Sequence, residues 1–108
     1  MPAAKGYGSI AVIGERELVL GFRLLGIANA FAVNVEEGKE KLRELMSNGD
    51  FSLILVSETL RKGMDRKLLE SIENSALPLV VFIPLPGGKE EESVEKLAKR
   101  VLGVEIGR

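Results

Sequence analysis

The sequence predicts an α/β fold, a parallel sheet of four strands with helices on both faces. Four short apolar runs have the length of strands buried on both faces; they lie at residues 10–13 (IAVI), 30–35 (AFAVNV), 51–56 (FSLILV) and 79–83 (LVVFI). Segments with the spacing of amphipathic helices separate these runs. Strands that alternate with helices form a parallel sheet, and right-handed crossovers favour the strand order 2-1-3-4. This is the Rossmann-like or flavodoxin-like arrangement, cut short at four strands.

The first strand and the helix after it open the fold. Gly14 lies at the turn between them, and Leu18, Phe22 and Leu25 then follow at the i, i+4 and i+7 positions of a helix stripe. Gly26 is placed to end this helix in a left-handed conformation. The segment therefore predicts a strand, a tight turn and a helix, which is the start of a βαβ unit.

The next two helical segments carry recognisable ends. Residues 36–47 predict a helix that Asn48 and Gly49 terminate. Residues 58–74 repeat apolar side chains every four positions, but Gly63 interrupts the pattern and Asp65 is able to cap a new start. This stretch therefore forms either one helix or two shorter ones.

The C-terminal part of the chain predicts a hinge followed by a last helix. Residues 90–102 place a narrow apolar stripe on one helix face; its members are Val94, Leu97, Ala98 and Val101. Prolines and glycines separate this helix from the fourth strand; the hinge residues are Pro84, Pro86, Gly87 and Gly88. We therefore divide the chain into a Rossmann-like α/β domain, residues 1–84, and a hinge with a C-terminal helical segment, residues 85–108.

Composition excludes several classes of function. The chain has 108 residues, 15 Lys and Arg against 16 Asp and Glu, and no His or Cys. A net charge of -1 gives no general attraction to nucleic acid or anionic membranes. No apolar run approaches the roughly 20 residues that span a bilayer. Without histidine the conventional serine triad cannot be built. We predict no catalytic residue, no cofactor and no metal site.

Ligands of such sheets bind where the strand order reverses, at the ends of the first and third strands. Those ends supply Gly14, Glu15, Ser57 and Glu58. Two carboxylates there are able to ligate Mg²⁺, although acids at two helix starts are favoured by the helix dipole without any ligand. A small-ligand-binding or receiver-like regulatory domain is therefore the alternative function, but Ser57 stands where a receiver needs a phosphate-accepting aspartate.

The first helix is apolar almost all round, which is more than one sheet face requires. Val19, Leu20 and Leu24 lie outside the stripe that faces the sheet, and they are candidates for contact with another protein or with the last helix. Gly21 in the middle of this helix costs about 1 kcal/mol relative to alanine, which indicates a close approach by a neighbouring element.

At these residues the chain resembles the F subunit of the V/A-type rotary ATPase or ATP synthase, which is the small subunit of the central stalk. The resemblance runs from about residue 9 to residue 106. Its main motif is IAVIGE at residues 10–15 with GFRLLG at residues 21–26, although Leu25 stands where alanine is usual. Further support comes from LILVSE at residues 53–58, LPLVVFIP at residues 77–84 and KRVLGVEI at residues 99–106.

The resemblance implies a non-catalytic component of the rotor that couples ATP synthesis or hydrolysis to ion transport and modulates the ATPase. It implies binding to the coiled-coil D subunit of the rotor and, through a mobile C-terminal helix, to the A and B subunits of the catalytic head. It also implies a peripheral position on the cytoplasmic side of the membrane, within the rotary complex. The predicted partner contacts are Val19, Arg23, Leu24, Val94, Leu97 and Val101, and the hinge of the family falls at residues 84–88.

Overall fold

Four parallel strands form the centre of the fold in a computed structural model that describes residues 9–84 and 94–102. The strands are β1 (Ser9–Gly14), β2 (Asn29–Ala32), β3 (Phe51–Ser57) and β4 (Leu79–Ile83). They lie in the order β2-β1-β3-β4, and every neighbouring pair is parallel. The predicted fold class and strand order are confirmed.

The helices follow the strands in the expected alternation. They are α1 (Arg16–Leu24), α2 (Val35–Asn48), a 3-10 helix (Glu58–Gly63), α3 (Arg66–Asn74) and α4 (Val94–Leu102). Residues 58–74 form two helices, which is one of the two alternatives that the sequence predicted. Asp65 caps α3, because its carboxylate accepts a hydrogen bond of 2.9 Å from the Leu68 amide. A side chain at Gly63 would collide with Val35.

Strand β2 is shorter than predicted, and this part of the prediction was wrong. The apolar run was expected to be extended as far as Val35, but Val35 is the first residue of α2. The cause is a capping box. The Asn34 side chain accepts from the Glu37 amide at 2.7 Å, and the Glu37 carboxylate accepts from the Asn34 amide at 3.1 Å.

Two glycines end helices in the left-handed conformation, as predicted. Gly26 has a φ of 99° after α1, and Gly49 has a φ of 89° after α2. Side chains with a β-carbon rarely adopt this conformation. These two positions therefore fix the directions in which the chain leaves the helices.

The sheet separates two apolar layers, because successive side chains of a strand point to opposite faces. On one face, α1 packs over a cluster that includes Val12, Leu55 and Ile83. On the other face, α2, α3 and the 3-10 helix cover a cluster that includes Ile13, Ile54 and Val56. We refer to these as the α1 face and the α3 face.

Helix α4 lies on the α1 face and contacts α1. Val101 and Leu102 are half-buried against the cluster that holds Val12 and Leu55. The side chains of Val94 and Leu97 lie outside the described residues, as do Pro86, Gly87 and Gly88 of the hinge. Pro84 is exposed directly after β4. The division of the chain at residues 84–85 stays a prediction.

Replacing Phe22 by alanine should destabilise the fold strongly. Phe22 is fully buried in the α1 face layer, and removal of a core phenylalanine costs about 3–5 kcal/mol. Leu24→Ala is the matched control, because Leu24 lies on the same helix and is 74% exposed; its cost should stay within about 0.5 kcal/mol. Urea unfolding followed by circular dichroism measures both. A Phe22→Ala protein as stable as the control would contradict the packing of α1.

Candidate functional site

The ends of β1 and β3 meet at Gly14 and Ser57, where the order of the strands reverses. A β-carbon at Gly14 would lie 2.7 Å from Leu18 Cδ2 and 2.9 Å from Ser57 Cβ. Both distances are shorter than packed carbon atoms tolerate, so only glycine fits. Ser57 itself is fully buried. The space that a β-carbon at Gly14 would need is filled here by the side chains of Leu18 and Ser57.

A chain of hydrogen bonds connects Glu15 with the end of β3. The Thr59 hydroxyl donates to Glu15 Oε2. Since that hydroxyl has one proton, the 2.9 Å contact between Ser57 Oγ and Thr59 Oγ1 is a bond in which Ser57 donates. The Thr59 amide in turn donates to Ser57 Oγ at 3.4 Å. Glu15 makes no side-chain cap to α1, although it occupies the N-cap position. Its side chain ties the start of α1 to the 3-10 helix instead.

Opposing effects act on the pKa of Glu15. Burial of the carboxylate raises it, but the hydrogen bond from Thr59, the nearby hydroxyl of Ser57 and the Glu15 backbone together lower it below the ordinary value of 4.5. Its Oε1 atom is buried and has no hydrogen-bond partner among the described residues. Glu15 is therefore ionised at neutral pH, and the hydroxyl groups compensate for its partial burial.

Glu58 makes its charged contact within its own 3-10 helix. It is exposed on the 3-10 helix, where its Oε2 atom lies 3.6 Å from Arg61 Nη1. Within residues 9–84 and 94–102, no group of three or more acidic side chains could hold a metal ion. A carboxylate pair for Mg²⁺ at this point gains no support from the structure, because Glu58 starts the 3-10 helix and lies beside Arg61. The sequence analysis missed Thr59, whose hydroxyl is the group that Glu15 binds.

The outer surface of α1 presents two exposed leucines. Leu20 is 48% exposed and Leu24 is 74% exposed, and their spacing of four residues places them one turn apart on the same helix face. Val19, by contrast, is only 2% exposed and belongs to the core. The prediction that Val19 is left for a partner was therefore wrong. The sheet and α4 both cover helix α1. More of the helix circumference is therefore buried than the single apolar stripe that faces the sheet.

Arg23 has a role within the domain. Its Nη2 atom donates a hydrogen bond of 2.6 Å to the carbonyl oxygen of Ala30 in β2. Strand β2 is at the edge of the sheet, so this bond ties the end of α1 to an edge strand. Contacts of Arg23, Leu24, Val94, Leu97 and Val101 with a partner stay predictions.

Known proteins similar to this chain share nearly its whole length. The sequence model of a family described as ATP synthase (F/14-kDa) subunit matches residues 10–101. The F subunit of the A-type ATP synthase of Thermoplasma volcanium is 56% identical over 98 residues, which is 91% of this chain and 94% of that protein. The chain belongs to the ATP synthase F-subunit family. The resemblance stated from the sequence motifs is thereby confirmed.

A more distant relative agrees with this placement, and a solved structure agrees with the fold. The protein of the same name from Methanothermobacter thermautotrophicus is 37% identical over 102 residues, which is 91% of this chain and 95% of that protein. The crystal structure of the V-type ATP synthase F subunit from Archaeoglobus fulgidus matches the fold with a TM-score of 0.66 at 22% identity, over 71% of this chain and 98% of that one. Within residues 9–84 and 94–102, none of the helices has the length and apolar character that crossing a membrane requires.

Thr59→Val should destabilise the protein at neutral pH, because it removes the hydroxyl that donates to the Glu15 carboxylate without changing the shape of the side chain. The expected loss is about 1 kcal/mol, the net value of one hydrogen bond. Thr59→Ser keeps the hydroxyl and is the control. The unfolding free energy in urea at pH 7 measures both variants, and equal stability of Thr59→Val and Thr59→Ser would contradict the role of the hydroxyl.

The difference between these variants should shrink in acid. The folded-state pKa of Glu15 lies below its ordinary value of 4.5, so the unfolded chain takes up this proton first as pH falls. The stabilisation is complete above about pH 4.5 and is lost as pH falls through the lower folded-state pKa. The Leu68 amide also lowers the pKa of Asp65. Because Asp65 is present in both variants, its contribution to the pH dependence cancels in the difference between them.

Proposed function

We propose that the chain is a non-catalytic central-stalk component of a V/A-type ATP synthase, in which it binds the coiled-coil D subunit and modulates the ATPase of the A and B subunits of the head. The observation that carries this proposal is the family match over residues 10–101, together with relatives named as F subunits of A-type ATP synthases. In this role the protein helps to couple ATP synthesis or hydrolysis to ion transport, as a peripheral component on the cytoplasmic side of the membrane.

Two features support a role in binding rather than in catalysis. The whole sequence contains neither histidine nor cysteine. The polar side chains where β1 and β3 end, Glu15, Ser57 and Thr59, bond to one another. The alternative function, binding of a small ligand at this point, has less support because the ATP synthase F-subunit family matches residues 10–101.

The exposed leucines of α1 form the surface that we assign to the D subunit. Helices pack by inserting the side chains of one helix between those of the other, and rows of residues four positions apart form the usual ridges. Leu20 and Leu24 make such a ridge. Each leucine that becomes fully buried contributes about 1.5–3 kcal/mol. A long helix of a coiled coil is a partner that this ridge fits.

Helix α4 is the element that we assign to regulation. It is held on the α1 face by contact with α1 and by the half-buried side chains of Val101 and Leu102. Prolines and glycines at residues 84–88 precede it. Ordering each residue of a flexible connection costs about 1–2 kcal/mol of backbone entropy, which offsets much of what so narrow an apolar stripe contributes. The helix is therefore able to leave α1 and to place its apolar side on the head.

A Leu20→Lys, Leu24→Lys double variant should bind the D subunit much more weakly. Loss of about 3 kcal/mol from two leucines corresponds to roughly a 100-fold weaker affinity. The control is Leu77→Lys, since Leu77 is also exposed but precedes β4 rather than lying on α1. Calorimetric titration into the purified D subunit measures the affinities. Unchanged binding by the double variant would remove α1 from the interface.

Hydrogen exchange should show that α4 opens without the rest of the domain. In the free protein, backbone amides of Val94–Leu102 are expected to exchange at least about 100-fold faster than those of the central strand β1, because local opening needs less free energy than global unfolding. Mass spectrometry on peptides from both segments measures the rates, and α3 provides a helix control. Equal protection of α4 and β1 would mean that α4 is an integral part of the core.

A further inference from the structure

The outer edge of β4 has no neighbour among the described strands. Strand β4 pairs with β3 and lies at the end of the sheet. Its sequence, LVVFI, contains no charged residue, and Leu79 is 52% exposed. Proteins usually protect such edges with lysine, proline or a covering segment, since an open edge is a template for another strand.

Among residues 9–84 and 94–102, no fifth strand lies at this edge, and the placement of the described helices disfavours a parallel one after α4. The connection from β3 to β4 passes through α3 on the α3 face, which gives a right-handed crossover. Helix α4 lies instead on the α1 face. A further parallel strand outside β4 that followed α4 would need a left-handed crossover, and these are very rare. A parallel strand that follows α4 is therefore disfavoured as the occupant of this edge.

A groove beside β4 carries opposite charges at its two ends. The groove has a volume of about 310 Å³, and Phe82 and Ile72 are among its lining residues. Arg61 lies near the carboxyl end of β4, where its guanidinium carbon is 4.9 Å from the centre of the Phe82 ring. Glu73 lines the same groove with Leu79, at the amino end of β4. Both charged residues are exposed.

This arrangement is complementary to itself under a two-fold rotation. When two β4 strands run antiparallel, the carboxyl end of one lies beside the amino end of the other. Arg61 of each copy then comes to the end of the groove that carries Glu73 of the other copy. Contacts in a two-fold interface occur twice, so one favourable pairing of charges gives two ion pairs.

We propose that the free protein forms a dimer in which β4 pairs antiparallel with β4 of a second copy. The two sheets then join into one of eight strands, with Arg61 facing Glu73 across the two-fold axis. Five residues of strand and one groove make a small interface, which is typical of weak complexes below about 1,200 Å². The dissociation constant is therefore expected in the micromolar range. Arg61 also lies 3.6 Å from Glu58, but its guanidinium group has further donors.

The edge is separate from the surface assigned to the D subunit. Helix α1 packs beside β2, and β2 and β4 are opposite ends of the sheet. Failure of the dimer proposal would therefore leave the proposed role in the rotor unaffected, and the reverse also holds.

Sedimentation equilibrium of the full chain tests the proposal through a charge exchange. Arg61→Glu alone and Glu73→Lys alone should each weaken the dimer at least about 10-fold, because like charges then face each other. An equimolar mixture of the two variants should recover the dimer, since each of its two contacts again joins opposite charges. Glu36→Lys is the control with the same charge change, as Glu36 lies beside the β2 end of the sheet, and it should dimerise as the original protein does.

Leu79→Lys provides a second test, because it places a charge on the edge at an exposed position. It should abolish the dimer while circular dichroism stays unchanged. If this variant fails to fold, the charge exchange still decides. A protein that is monomeric up to several hundred micromolar, or a mixture that does not recover the dimer, would overturn the proposal.

Other occupants would give different results. If residues 103–108 cover the edge, the full chain is monomeric and a variant that ends at Leu102 dimerises. If a strand of the D subunit covers it, the free chain is monomeric, and its β4 amides become protected from hydrogen exchange only when that protein is added. Either result would overturn pairing with a second copy. Dimerisation of the variant that ends at Leu102 with the same affinity as the full chain would support it.

Discussion

The contact between Gly14, Leu18 and Ser57 determines where helix α1 lies on the sheet. Because any β-carbon at Gly14 would overlap both neighbours, the helix starts as close to the ends of β1 and β3 as the backbone permits. That position lets Phe22 reach the core and brings Glu15 within reach of Thr59. It also leaves one flank of α1 for α4 and turns Leu20 and Leu24 outwards. One geometric cause thus underlies three features: the packed core, the hydrogen bond between Glu15 and Thr59, and the ridge of exposed leucines.

Features that depend on neighbours in sequence were predictable, whereas those that depend on distant residues were not. The existence of the four strands, the break at Gly63 and the helix ends at Gly26 and Gly49 all follow from local patterns, and the structure confirms them. At Asn34 two local signals competed, and the capping box with Glu37 prevailed over the apolar run. The burial of Val19 depends on how many elements cover α1, and the bond from Arg23 to Ala30 joins a helix to a strand. Neither has a signature within a short window of sequence.

The end of β1 shows how a position that binds ligands in related folds is used here for stability. A partly buried carboxylate loses hydration, which favours its neutral form. At Glu15 the hydroxyl groups of Ser57 and Thr59 reverse that preference, and the pKa falls below its ordinary value. The Thr59 hydroxyl donates to Glu15 Oε2 and the Ser57 hydroxyl donates to Thr59, whereas Glu15 Oε1 has no partner among the described residues. The result is a charge-assisted hydrogen bond between the N-cap residue of α1 and the 3-10 helix. The acid and the serine that the sequence placed here are therefore present, but Glu58 is directed to Arg61 and does not supply a second carboxylate.

An uncharged edge strand is a risk for any protein, because other strands are able to pair with it, and the ends of β4 limit that risk. Pro78 precedes the strand and Pro84 follows it, and proline has no amide hydrogen to donate to a ladder. Pairing at this edge is therefore confined to the five residues of Leu79–Ile83. A ladder of this length, with two exposed ion pairs worth at most about 1 kcal/mol each, gives an association that is reversible at moderate concentration. The prolines thus limit the length of the ladder, and the two-fold symmetry limits its number of copies, because each copy uses its β4 edge once.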